Sequence, residues 1–258
     1  MKGILLRVGA DQTDAGGRWN APVDPRTWRY AYVPIAANED EHEHIAPCPT
    51  FARFQTQVAA LDVALPPHLN GNTNAHLDPD FDSLTYGEPY LSSNGRRASR
   101  GRLIESLQKG DFIAFFAGFR PTRPSYEHTL AYCLFGIFFV QRVCQVKELT
   151  RAQRAACAHG RRKGALDDFV VHADATRSGR FARALPIGEF RNNAYRVRRD
   201  LLDTWGDLSV RDGYIQRSAQ PPRFKQPARF LRWLAQQTDG EKLLQKNVDR
   251  SHNQEEQT

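Results

Sequence analysis

The chain has 258 residues, a formal net charge of +7 and a composition of 40% hydrophobic, 25% charged and 10% aromatic residues. That balance excludes wholesale disorder, and no apolar run approaches the roughly 20 residues of a membrane-spanning helix. The excess of Lys and Arg favours an anionic partner, for which nucleic acid is the commonest candidate.

Ile4-Leu5-Leu6-Arg7-Val8 reads as a first strand, halted at Gly9 and Asp11 and too short in apolar residues for a signal peptide. After a Gly- and Pro-bearing loop, Trp28 to Ile35 alternates enough to predict a second strand. Residues 38–44 are acidic and polar. Phe51 to Leu61 predicts a short helix ended by Pro66-Pro67, and Arg96 to Gln108 a basic, partly helical stretch. Residues 112–119 and 132–140 are near-continuously apolar and predict two buried antiparallel strands. Thr150 can cap a helix over residues 151–158. Phe169 to His172 predicts another strand, and Arg180 to Ile187 a helical turn. Pro227 suits the first position of a helix whose Phe230, Trp233 and Leu234 share one face, with Gly240 as its stop. With no repeat or break in composition, residues 1–245 are expected to form one domain and 246–258 a disordered polar tail. The fold class expected is α+β, with a mixed, mainly antiparallel curved sheet or small barrel and flanking helices.

Cys48, Cys133, Cys144 and Cys157 are widely spaced and contain no C-x-x-C pair, which suits free thiols in the cytoplasm. Cys48 with His42 and His44 would lack a fourth zinc ligand. No phosphate-binding loop, dinucleotide fingerprint, H-E-x-x-H or nucleophile elbow is present.

The densest chemistry lies in His76-Leu77-Asp78-Pro79-Asp80-Phe81-Asp82-Ser83-Leu84-Thr85-Tyr86-Gly87, between turn formers at Asn70-Gly71-Asn72 and Glu88-Pro89. Its D-x-D-x-D spacing begins like a calcium loop, but Ser83 stands where Gly is needed and Pro89 where Glu is needed. If the segment were extended, its alternate Asp residues would share a face and could hold a divalent ion together with Asp11 or Asp111. His76 beside Asp78 could equally be a base with its orienting carboxylate, and a solvated turn remains the plain alternative. Tyr86 and Trp19 lie in polar loops where a ring could stack on a base. Arg96, Arg97, Arg100 and Arg102 form one basic cluster, seven Arg against one acid between residues 177 and 199 a second, and Arg161-Arg162-Lys163 a third. Arg7, Arg96, Arg97, Arg100, Arg180 and Arg183 are the candidate phosphate contacts.

The segments 4–11, His76-Leu77-Asp78-Pro79-Asp80-Phe81 with Thr85-Tyr86-Gly87, 110–118 and 135–140 together resemble the nucleotide modification associated domain 3 family. The H-L-D-P-D-F…T-Y-G segment is the specific part of that likeness. The resemblance implies a setting in systems that make or handle modified DNA bases, without an implied reaction. The two apolar strands are also similar to those of PUA-like folds such as EVE and ASCH domains, which hold a modified base beside a barrel. Two expectations follow. One is a module that recognises DNA carrying modified bases, or a nucleotide, through Tyr86, Trp19 and the Arg clusters. The other is a base- or nucleotide-modifying enzyme using His76, Asp78, Asp80 and Asp11, with a divalent metal as a possible cofactor and no membrane partner.

Overall fold

Two long apolar runs occupy the middle of the architecture, as their composition requires. The computed structural model describes residues 1–9, 19–37, 45–92, 94–123, 129–216, 220–238 and 240–248. In chain order the elements begin with β1 (Gly3–Arg7), β2 (Pro22–Val23), β3 (Ile35–Ala36), α1 (Gln55–Ala59), β4 (Ala75–His76), β5 (Thr85–Glu88) and α2 (Ser99–Glu105). They continue with β6 (Phe112–Pro121), β7 (Ala131–Gln145), α3 (Arg151–Ala156), β8 (Phe169–Ala173) and β9 (Gly179–Pro186). The last are β10 (Gly188–Arg191), β11 (Ala194–Val197), α4 (Arg199–Trp205) and α5 (Pro227–Thr238).

The main sheet runs β1-β6-β7-β8-β5, with β2 added to β6 and β9 to β7. Among the described residues the β1–β6 and β2–β6 ladders alone are parallel, so the sheet is mixed and mostly antiparallel. β7 pairs with β6 up to Phe139 and with β8 from Val140 onward. Register shifts at Phe115/Phe116 and Val140/Arg142 bend it between those partners. The strand order starts at β1 and ends at β5 with no ladder joining them among the described residues, so the closed PUA-like barrel expected from the strand pair does not form.

Successive residues of β6 face opposite sides, which explains the unbroken apolar run. Ile113, Phe115 and Ala117 enter one core with Phe81, Tyr86, Phe135 and Phe138. Phe112, Ala114 and Phe116 enter a second with Trp205, Phe224, Phe230 and Trp233. The expected helical face of α5 is therefore the cover of the second core, and Gly240 follows it with φ of 75°. Thr150 caps α3, accepting from the Gln153 backbone N–H.

Two expectations fail locally. Tyr30, Ala31, Tyr32 and Val33 are all buried in succession, which a half-exposed strand forbids, and the stretch pairs at its ends alone among the described residues, Tyr30 in an isolated bridge with Val23 and Ile35–Ala36 with β4. Residues 180–187 are no helical turn, because β7 still has an open edge there and Leu185 and Arg180 pair with Leu134 and Gly136. Of the expected polar tail, residues 246–248 are described and 249–258 lie outside the described residues. Asn247 is fully buried, and the Arg180 side chain donates from Nε to the Lys246 carbonyl oxygen at 2.7 Å.

Candidate functional site

The central segment is a turn and not an extended strip. Asp80 and Thr85 exchange backbone hydrogen bonds of 2.8 and 3.1 Å, which folds residues 80–85 back on themselves. Phe81 is driven into the core against Phe115, Phe135 and Phe138. A Cβ on Gly136 would lie 2.8 Å from the Phe81 ring, so the small residue in β7 makes that anchorage possible. The Tyr32 hydroxyl donates to the Pro79 carbonyl at 2.6 Å.

This turn separates the three Asp residues. Asp80 accepts from the Asn247 side chain at 2.7 Å and from the Asp82 backbone N–H at 2.9 Å. Asp82 takes a second bond from Asn247 at 3.0 Å and pairs with Arg53. Asp80 and Asp82 thus clamp the turn, while Asp78 faces elsewhere, into a cavity of about 360 Å³. Arg7, His76, Tyr86, Glu88, Arg100, His159 and Arg162 also line that cavity.

Two linked groups meet there. In the first, Asp78 Oδ2 stands 3.9 Å from His76 Nε2 and 3.5 Å from His159 Nε2. Asp78 Oδ1 accepts the Gly87 backbone N–H at 2.7 Å. On its other side, the His159 ring reaches Asp168 Oδ2 through Nδ1 at 2.9 Å. Asp168 is in turn held by Arg162 at 3.2 Å and by the Tyr90 backbone N–H at 2.9 Å. The two imidazoles meet edge to face, with centroids 5.3 Å apart. In the second group the Tyr86 hydroxyl donates to Glu88, and Arg100 reaches Glu88 Oε1 at 2.8 Å and the Tyr86 hydroxyl at 3.1 Å.

Burial opposes a charge on His159, but the hydrogen bonds and charges of Asp168 and Asp78 outweigh it and push its pKa up to about 9. Burial raises Asp78 above the ordinary carboxylate value, against the pull of His159 and the Gly87 N–H. Glu88 is likewise raised by burial, opposed by Arg100 and by the Tyr86 hydrogen bond. Burial, and then the charge of Glu88, pushes Tyr86 well above its usual value, so it remains a neutral donor. Asp78, Glu88, His159 and Tyr86, all of perturbed acidity, stand around one cavity with a second imidazole, His76, and are the ingredients of proton transfer.

Of the residues singled out from sequence, His76, Asp78, Tyr86, Arg7 and Arg100 come together here. Asp11, His42 and His44 lie outside the described residues. Asp111 accepts from the backbone N–H groups of Lys2 and Gln108 and braces the start of β6. Trp19 is in the core, and the Tyr86 ring packs on Phe115, so both aromatics are structural over most of their surface. Arg180 is 1% exposed inside the protein, Arg183 pairs with Glu241, and Arg97 pairs with Glu105 over the Tyr90 ring. Arg96 is exposed. The basic stretch 177–199 is therefore not one continuous phosphate-binding face.

Sequence reasoning missed His159, Asp168 and Glu88, and placed Arg162 in a basic cluster without a role at this site. His159 arrives on a single 3-10 turn, His159–Arg161, after α3. A Cβ on Gly87 would stand 2.2 Å from its ring, which explains the Gly that follows Thr85-Tyr86. The family model described as nucleotide modification associated domain 3 matches residues 2–229. Neither the curated proteins nor the solved structures yield a match to this chain.

Proposed function

The chain belongs to the nucleotide modification associated domain 3 family, and on that premise we propose that it is an enzyme of base or nucleotide modification. Its reaction takes place over His76, Asp78 and His159. The observation that supports this reading is their convergence with Tyr86, Glu88 and Arg100 on one cavity. His76, whose side chain keeps 12% exposure, is the proton carrier, and Asp78 orients it. His159, held between Asp78 and Asp168, keeps that carboxylate in place.

Arg7, Arg100 and Arg162 give the cavity a cationic lining suited to a phosphate. Its volume of about 360 Å³ lies toward the small end of the ~300–1,000 Å³ usual for small-molecule sites. A duplex would not enter it. The substrate is therefore a free nucleotide, or a base swung out of a strand of DNA. A module that only recognises a modified base is less well supported, because the rings of Tyr86 and Trp19 are already packed in the core.

The test uses nucleotides and single- and double-stranded oligonucleotides with ordinary and modified bases. Binding is followed by calorimetry across a salt series, and products by mass spectrometry. Affinity should fall as salt rises, since phosphate contacts release counterions. Asp78→Asn should lower turnover by ~100-fold or more while leaving binding within a few-fold. Absence of binding at low salt, or equal turnover by the Asn variant, would overturn the proposal.

A further inference from the structure

The geometry points to a divalent transition-metal site made by His76, Asp78 and His159, facing the cavity. For its chemical purpose this inference rests on the function proposed above, with one change of role: with an ion bound, His76 and Asp78 would be its ligands, a water on the ion would carry the proton in place of His76, and the proton otherwise held on His159 would be released. Its test does not depend on that function. One ligand-type atom from each of the three residues lies within 4.8 Å of the other two. The two contacts made by Asp78 Oδ2, 3.9 Å to His76 Nε2 and 3.5 Å to His159 Nε2, are close to the separation of neighbouring donors in a tetrahedral shell. With bonds of about 2.0–2.1 Å, that separation is roughly 3.4 Å. The ligand atoms of the two histidines lie within 4.8 Å of each other, so an ion between them would draw the rings inward.

A second observation is the support behind His159. Its Nδ1 is fixed on Asp168 at 2.9 Å, which leaves Nε2 turned toward Asp78. Asp168 is itself anchored by Arg162 and the Tyr90 backbone. A carboxylate behind a histidine, fixing its ring and raising its basicity, is the usual outer support of a metal ligand. A buried ion pair between His159 and Asp78 would not by itself call for a second imidazole turned toward the same carboxylate oxygen. The neighbouring acids are otherwise engaged, Glu88 by Arg100 and Asp80 by Asn247.

Two imidazoles and one carboxylate favour Zn²⁺, Co²⁺ or Fe²⁺ over Mg²⁺ and Ca²⁺, which prefer all-oxygen shells. Three protein ligands also leave a position free on the cavity side, where a water or a substrate oxygen could be polarised.

The full chain, stripped with chelator, is titrated separately with Zn²⁺, Co²⁺, Fe²⁺ under anaerobic conditions, and Mg²⁺. Stoichiometry is measured by elemental analysis and coordination by Co²⁺ visible absorption. One equivalent of a transition ion should bind with micromolar or better affinity, and Mg²⁺ should not displace it. His76→Gln and His159→Gln should each weaken binding by ~100-fold or more, and Asp168→Asn by ~10–100-fold. His76→Gln serves as the variant least prone to misfolding, with melting curves recorded for all three.

Failure of all three transition ions to bind the folded wild-type protein would overturn the site. So would binding that persists unchanged in both histidine variants, since the ion would then sit elsewhere. Nucleotide binding without metal binding would overturn the metal site and leave the proposed function standing on His76 and Asp78. Metal binding without any affinity for nucleotides would support the site and remove the proposed function.

Discussion

Gly87→Ala isolates the dependence of the site on a missing methyl group. Gly87 lies in β5, where alanine is conformationally acceptable, so any effect comes from contact. The added Cβ would fall 2.2, 2.4 and 2.8 Å from His159 Cδ2, Cγ and Cβ, a rigid part of a buried side chain. Relief requires the ring to move by about 1 Å or more, since ordinary carbon contacts begin near ~3.5 Å. That displacement breaks or lengthens the 2.9 Å bond to Asp168 and the 3.5 Å pairing with Asp78. Overpacking costs about 1–3 kcal/mol, and a lost charged hydrogen bond about 1.5–3 kcal/mol. A net loss of about 2.5–6 kcal/mol is expected. Urea unfolding measures it, and calorimetry should show weakened nucleotide binding in the same variant. A change in stability within about 0.5 kcal/mol, the range of an ordinary surface substitution, with binding intact would refute the packing argument.

Three further outcomes test the scaffold. Asn247→Ala removes the bonds to Asp80 and Asp82 and leaves the Phe81 N–H, now bonded at 2.8 Å, without its acceptor. Chemical denaturation should register a loss of about 1–3 kcal/mol. Phe230→Ala opens the second core between Phe112, Phe224 and Trp205, and the same measurement should show a loss of about 3–5 kcal/mol with little change at the cavity. His172 carries a pKa lowered from 6.5 by burial and by the charge of Arg142. The unfolded chain therefore binds the proton more tightly, and the contribution of His172 is present above pH 6.5 and lost as pH falls toward the folded value. Melting curves from about pH 8 to about pH 5 should show less acid sensitivity in His172→Gln than in wild type.

The parts of the fold legible in the sequence are those where one physical demand acts alone. Pro227, followed by Phe230, Trp233 and Leu234, can bury only one helical face, and β6 and β7 can only be strands buried on both sides. Trp28 to Ile35 misled because its aromatic residues cover the core as irregular chain, with Trp28 itself at φ of 57°. The stretch 180–187 misled because a strand partner distant in sequence decided its conformation.

The same contrast governs the site. His76 and Asp78 stood out because a dense local motif carries them. Asp80 shared the motif, but the turn at 80–85 sends it to Asn247. His159 and Asp168 have no local motif, and only β8 pairing with β5 and the close approach allowed by Gly87 bring them to Asp78. The one local hint is a lone His before Gly160 at the head of the basic run Arg161-Arg162-Lys163.

The most direct test follows the histidine side chains by ¹⁵N-edited NMR while nucleotide is titrated into the wild-type protein. The imidazole signals of His76 and His159 should shift together and saturably, while His172, on β8 away from the cavity lining, should hold still. Saturable nucleotide binding that leaves both His76 and His159 unmoved would contradict the assignment of this cavity as the functional site.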